Sequence, residues 1–182
     1  ITVSTGNNYI DGGNDGDTIT VGFVAGYPAT WGSGNDTILG KAGNDSISSY
    51  YGVDSIDGGV GNDTIYTYYT AAGTIVKGGD GNDSITSKYS GANYEGGKGN
   101  DFFYNEQSVN NTYIFNKGDG QDTITDTAYG ADGYTDILQF GTGISKDNIL
   151  FTKEADNMVI KFVGSADTIT ITNWFTSEAN NI

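Results

Sequence analysis

The chain has 182 residues, of which 23 are acidic and 8 basic, giving a net charge of −15 and a pI near 4.1. Such a surface repels nucleic acid and anionic membranes and attracts cations. Cysteine and histidine are both missing, which excludes a thiol nucleophile, a histidine base and a soft-metal centre but leaves all-oxygen coordination open.

Glycine is abundant (29 residues), proline occurs once, at Pro28, and 13% of the chain is aromatic. That balance favours ordered β structure over a disordered linker. No apolar run approaches the length of a transmembrane helix.

Read from the N-terminus, a nine-residue period dominates: a glycine-rich hexapeptide ending in Asp, then a three-residue strand with a large apolar residue in the middle. The apolar position falls at Ile10, Ile19, Ile38, Ile47, Ile56, Ile65, Val76, Ile85, Tyr94, Phe103, Phe115 and Ile124. The gap from 19 to 38 is read as two units with one extra residue, and small insertions precede Val76 and Phe115. A fixed period predicts stacking, because a three-residue strand with one inward aliphatic gains stability only against copies of itself, roughly 4.8 Å above and below. The expected fold is all-β, a flattened spiral over residues 1–125. The glycines supply the positive φ and close backbone approach that a six-residue reversal needs.

Two units complete one coil, so the loops of alternate units share an edge. On the reading above, Asp45, Asp63, Asp83, Asp101 and Asp122 line one edge. Asp17, Asp36 and Asp54 line the other, whose loops then degenerate over Thr70–Thr74 and Ser90–Ala92. The glycines of the same loops are Gly12, Gly32, Gly34, Gly43, Gly58, Gly59, Gly61, Gly78, Gly79, Gly81, Gly96, Gly97, Gly99, Gly118 and Gly120. Their turns are expected to direct backbone carbonyls inward.

Carboxylates in stacked loops lie about 5 Å apart, and each pair of like charges costs on the order of 3 kcal/mol at an effective dielectric of 20. Cations between them relieve that repulsion. Calcium fits, being hard, taking six to eight oxygens and tolerating irregular geometry; magnesium demands a tighter octahedron and gives up water reluctantly. Four gaps on one edge and two on the other predict about six Ca2+ ions, with binding and folding a single event. The competing reading is a metal-free solenoid in which the same hexapeptides serve only as turns.

Beyond about Asp126 the period breaks. Residues 136–140, 149–152, 157–163 and 167–172 read as ordinary strands, with a short helical turn at Ser145–Asn148. An open spiral exposes its apolar column and its strand edges, so residues 126–182 are expected to form a C-terminal antiparallel β cap. Phe140, Phe151, Phe162, Trp174 and Phe175 are candidates for its inner face.

The units Gly58-Gly-Val-Gly-Asn-Asp63, Gly78-Gly-Asp-Gly-Asn-Asp83 and Gly96-Gly-Lys-Gly-Asn-Asp101 closely resemble the RTX (haemolysin-type calcium-binding) nonapeptide repeat, over roughly residues 3–125. That family's repeats form a parallel β-roll. Departures are Asn8 for an aspartate, Asp15 for a fourth-position glycine, Trp31 and Lys41-Ala42 at early loop positions, and a patternless stretch from Val21 to Thr30. The segment from Lys117 to Phe175 resembles the flanking domain that follows many such repeats. The resemblance implies a bacterial protein exported by a type I secretion system, folding outside the cell and residing there or at the cell surface. The chain opens within a repeat and is expected to be a piece of a longer protein.

The first functional expectation is therefore a non-catalytic module that folds on calcium and serves a larger toxin, adhesin or exoenzyme. The second is a calcium-dependent adhesion or surface-glycan-binding module, because Tyr50, Tyr51, Tyr66, Tyr68, Tyr69 and Tyr89 cluster near solvent-facing positions; such rows also simply cover a sheet. An ice-binding surface is not expected. An outward asparagine row is present (Asn35, Asn44, Asn62, Asn82, Asn100), but the third loop position lacks a rank of threonines. Paired carboxylates can hydrolyse glycosides, yet the loop aspartates already have a role, and Glu95, Glu106, Glu154 and Glu178 form no constellation. Asp126, Asp132 and Asp136 read either as a solvated acidic loop or as one further calcium site.

Overall fold

A computed structural model describes residues 1–22, 34–106, 109–127 and 134–175. Its strands alternate between two sheets. One sheet stacks β1 (Thr2–Val3), β3 (Thr18–Val21), β5 (Ser46–Gly52), β7 (Thr64–Thr70), β9 (Ser84–Lys88), β11 (Phe102–Glu106) and β13 (Gln121–Thr127). The other stacks β2 (Tyr9–Asn14), β4 (Thr37–Ala42), β6 (Ser55–Val60), β8 (Thr74–Asp80), β10 (Ala92–Lys98) and β12 (Thr112–Phe115). Every pairing within these two stacks is parallel. A parallel β-solenoid is the result, as the nine-residue period requires.

Period-two alternation sends one side chain of each strand inward. Ile47 pairs with Ile65, which pairs with Ile85, while Ile38, Ile56 and Val76 align in the opposite sheet. Ile38, Ile65 and Val76 show no exposed surface. At the C-terminal end aromatic rings take over the column: Tyr94, Phe103 and Tyr113 pack with centroids 5.6–6.5 Å apart. Here one expectation is corrected. Tyr113, not Phe115, is in register with Tyr94. The insertion before β12 displaces the repeat by two residues, and Phe115 faces inward one alternation later.

Both ladders run past residue 125. β14 (Ile137–Phe140) adds in parallel to β12, and β17 (Thr168–Ile171) adds in parallel to β13. β15 (Ile149–Glu154) and β16 (Asn157–Phe162) then extend the first sheet antiparallel, giving ten strands against seven. The expected helical turn is a 3-10 turn at Lys146–Asn148, with the Ser145 side chain accepting from the Asp147 N–H.

Phe162 stacks on Phe115 at 5.1 Å and meets Phe140 edge-on at 5.7 Å, covering the apolar end of the spiral. Trp174 packs against the same core. Phe151 and Phe175 do not join it. Phe151 alternates to the outer side of β15 and is 65% exposed, while the ring of Phe175 lies under the Lys153 ammonium at 4.6 Å.

Candidate metal centre

The hexapeptide turns share one geometry. Their second and fourth residues have positive φ, as at Gly59 (110°) and Gly61 (140°), Gly79 (121°) and Gly81 (148°). Lys41 and Asp15 occupy those two positions at φ 83° and 125°, so stacking forces onto them a backbone shape that suits glycine.

The sixth residue builds the site. The Asp45 N–H donates to Asp63 Oδ1 at 2.8 Å, Asp63 N–H to Asp83 Oδ1 at 2.7 Å, and Asp83 N–H to Asp101 Oδ1 at 2.8 Å. Asp101 N–H continues to Asp122 Oδ1 at 3.0 Å. A second ladder runs the opposite way through the fifth residues: Asn62 N–H donates to Asn44 Oδ1 at 2.8 Å, Asn82 N–H to Asn62 Oδ1 at 2.7 Å, and Asn100 N–H to Asn82 Oδ1 at 2.7 Å. The asparagine row is therefore structural: each Oδ1 receives the N–H of the next coil.

Each aspartate thus spends one oxygen on the neighbouring coil and leaves the other inside. Oδ2 of Asp45, Asp63, Asp83 and Asp101 is buried with no hydrogen-bond partner, and so is Oδ2 of Asp36 on the opposite edge. Buried polar atoms in native proteins are paired, so five orphaned carboxylate oxygens are an unusual density. Among the described residues, lysine ion pairs go to Asp11, Glu95, Glu106, Asp80 and Glu154, so no lysine neutralises the row.

Oδ2 lies over the first glycine of its own loop. A methyl group at Gly58, Gly78 or Gly96 would overlap Oδ2 of Asp63, Asp83 or Asp101, and at Gly58 and Gly78 it would also meet the carbonyl of Gly78 or Gly96 in the next coil. Gly40, passed over in the sequence, holds the same place beneath Asp45. Carbonyls of Gly43, Gly61, Gly81 and Gly99 approach the fourth residue of the following loop, and those of Gly59 and Gly79 approach the second. Carboxylate and carbonyl oxygens converge on the gap between coils, a donor set that fits a hard cation such as calcium.

The two edges differ from expectation. Asp17 N–H donates to Asp45 Oδ1 at 2.6 Å, so Asp17 belongs to the edge of Asp45 and not with Asp36. β3 and β4 lie in opposite sheets, which two whole units between them would not give, so the parity of everything before β4 inverts. The predicted 17/36 pair is not brought together. Asp36 instead accepts from the Asn8 backbone and side-chain amides, each at 2.8 Å, and its own N–H donates to Asp54 Oδ1 at 2.9 Å.

Asp54 itself is satisfied differently, since the Ser49 hydroxyl donates to its Oδ2. Ser49 stands at the first loop position, where the other edge has glycine. Thr67, Ser87, Asn105 and Asp126 follow it in register along the same sheet. At Asp45, Asp63, Asp83 and Asp101 the first residue of the hexapeptide is glycine, whereas at Asp54 it is a serine whose hydroxyl fills the space, a difference visible in the sequence.

Gly12 lies beneath Asp17; Gly34, Gly118 and Gly120 occupy turns, while Gly32 lies outside the described residues. Gly97 takes the second loop position at φ 99°. The row ends at Asp122, which pairs with Ile169 of β17; Asp167, two residues earlier, accepts the Gly118 N–H at 2.8 Å beside it. Asp167 was invisible to the period because it arrives from outside the repeats.

Burial, reinforced by neighbouring carboxylates, raises these groups from the ordinary 3.8: Asp83 to about 7, Asp101 to about 6, Asp122 to about 8, and Asp63 in the same direction. Asp54 rises to about 6 by burial, against the opposing Ser49 hydrogen bond.

The two family models that match the chain are both of calcium-binding type. The RTX calcium-binding nonapeptide repeat model matches in four copies over residues 1–23, 32–65 and 70–87, and the haemolysin-type calcium-binding protein related domain matches residues 157–182. The chain is 36% identical over 69 residues to the iron-regulated protein FrpA of Neisseria meningitidis serogroup C, covering 38% of this chain and 6% of that protein. The extracellular lipase LipA of Serratia marcescens aligns over 93% of this chain and 38% of its own, at 16% identity and a TM-score of 0.42.

Two outcomes are expected. Gly78→Ala, at a backbone position ordinary for alanine, displaces Asp83 Oδ2 and costs the calcium-loaded roll about 1–3 kcal/mol in denaturant unfolding. Gly91→Ala in a degenerate loop meets its nearest atom at 3.0 Å and costs less. The second outcome concerns pH. In the metal-free roll the raised carboxyls hold protons that the unfolded chain releases near 3.8, so their contribution is full below that value and is lost as pH rises through about 6–8. With chelator, strand content by circular dichroism rises as pH falls from 8 to 5; with saturating calcium it stays level.

Proposed function

Because the chain carries RTX calcium-binding repeats, we propose that it is a calcium-triggered folding module of a larger secreted bacterial protein, with no catalysis of its own. The observation that carries this reading is the row of buried, partnerless Oδ2 atoms along one edge. Asp17, Asp45, Asp63, Asp83, Asp101 and Asp122 bound five successive gaps, and Asp36 bounds one on the other edge, so about six ions are expected. The aspartate Oδ2 atoms and the glycine carbonyls between coils would hold them. Bound calcium supplies positive charge that the chain lacks, at −15 overall. The residues do the rest: Oδ1 atoms tie coil to coil, and the glycines keep the gap open.

Where calcium is scarce, as in cytosol, weak sites stay empty and the chain stays unfolded; outside the cell they fill and the spiral sets. A polypeptide passing through a type I secretion channel benefits from that order of events. FrpA, to which the chain is similar, is a far longer protein, since the match spans 6% of its length. On this reading, any activity of a longer parent protein would lie outside these repeats.

A glycan platform finds less support. Tyr51, Tyr69 and Tyr89 stack nearly parallel, with centroids 5.7 and 4.6 Å apart and planes 6° and 7° apart. The middle ring, 43% exposed, already has a parallel ring on either side, whereas sugar stacking needs open faces.

Circular dichroism checks the proposal. At about pH 8, above the raised carboxyl values, calcium in the millimolar range is expected to raise parallel-strand content from near zero, chelator to abolish it, and magnesium to substitute poorly. Equal strand content with chelator and with calcium would contradict it.

A further inference from the structure

The edge that loses its loop aspartates regains carboxylates at its C-terminal end. The first-position column Ser49, Thr67, Ser87 ends in Asn105 on β11 and Asp126 on β13, which are in register. Asn105 Nδ2 donates to Asp126 Oδ2 at 3.1 Å, and the Tyr113 hydroxyl donates to the same oxygen at 3.2 Å. Asp136 arrives from the opposite sheet, immediately before β14. Its Oδ1 accepts the Asn111 N–H at 2.8 Å, the rung contact made by Asp45, Asp63, Asp83, Asp101 and Asp122 on the other edge. The Asn110 side chain makes the accompanying asparagine contact, accepting from the Thr135 N–H at 2.8 Å. Asp136 thus stands at the sixth position of a loop that shows no repeat motif in the sequence.

The carboxyl groups of Asp126 and Asp136 lie against each other, and Asn111 adjoins Asp136. Two amide oxygens close by have nothing to accept from: Asn105 Oδ1 and Asn111 Oδ1 are buried and partnerless, in residues 2% and 1% exposed. Asn105 presents its amide head to Asp126, so its idle oxygen stands beside the carboxylate pair. Both aspartates are only partly buried. Two acidic oxygens in contact require either a shared proton or a cation, and a shared proton leaves both amide oxygens unsatisfied. A cation engages all four groups.

We propose that Asp126, Asp136, Asn105 and Asn111 form a further calcium site, outside the repeat loops, that pins β14 to β13 where the roll meets its cap. It rests on the calcium reading of the loops. All donors are hard oxygens and the two carboxylates match the charge of one divalent ion, a set that favours calcium over softer metals.

The test counts ions by native mass spectrometry on the full chain titrated with calcium alone. Asp136→Asn is expected to hold one ion fewer than the parent chain, while the circular-dichroism response to calcium persists. An unchanged count in a folded variant would overturn the proposal and leave the loop reading intact. A parent chain that binds no calcium would overturn both. Should Asp136→Asn fail to fold, anomalous diffraction from parent crystals grown in calcium decides: a peak between Asp126 and Asp136 supports the site, and a direct carboxyl–carboxylate contact without one refutes it.

Discussion

Like charges stacked at the repeat distance of a β-ladder are the constraint on which this molecule depends. A parallel solenoid places equivalent residues of successive coils directly above one another, so an aspartate in the repeat becomes a column of aspartates. Backbone N–H groups satisfy one oxygen of each carboxylate, as between Asp63 and Asp83 at 2.7 Å. The other oxygen stays inside, over a glycine that leaves it just enough room. Burial and repulsion then push Asp83 up to about 7 and Asp122 up to about 8. The apolar column is narrow, because most strands of the repeat contribute one large inward side chain. Coil-to-coil attraction and edge-to-edge repulsion meet in the same residues, which makes the fold conditional on charge.

The two edges show what happens when that constraint is answered in different ways. On one, glycine in the first loop position clears space beside the carboxylate. On the other, Ser49 fills it and donates to Asp54, and in the next coils the loop aspartate gives way to Thr74 and then Ala92. Tyr94 sends its hydroxyl to Ser87 at 2.6 Å in the same column. A roll with hydroxyl-filled turns on one side and carboxylate-lined gaps on the other keeps one continuous spiral while confining its dependence on cations largely to one edge.

Much of this was legible in the sequence. The period of nine, the inward isoleucines and the aspartates at the sixth loop position follow from counting, and the parallel pairing follows from the repeat. What counting could not supply was parity. Residues 19–38 fit two units arithmetically, yet β3 and β4 lie in opposite sheets, and Asp17 changes edge as a consequence. The Tyr113 register was hidden in the same way, by an insertion whose length does not say where it is absorbed. Asp136 was read as part of an acidic loop or a further calcium site, but its rung position, set by the Asn111 N–H, shows only in the three-dimensional pairing. Phe151 was misplaced because an edge hairpin has an outer face that its alternation alone does not identify.

The central claim, that cations between stacked aspartates hold the coils together, is tested most directly by amide hydrogen exchange at Asp45, Asp63, Asp83 and Asp101, whose N–H groups form the rungs. With calcium these four amides are predicted to exchange far more slowly than in an unfolded chain, and with chelator at unfolded-chain rates. Equal protection of the four in both conditions would contradict the account.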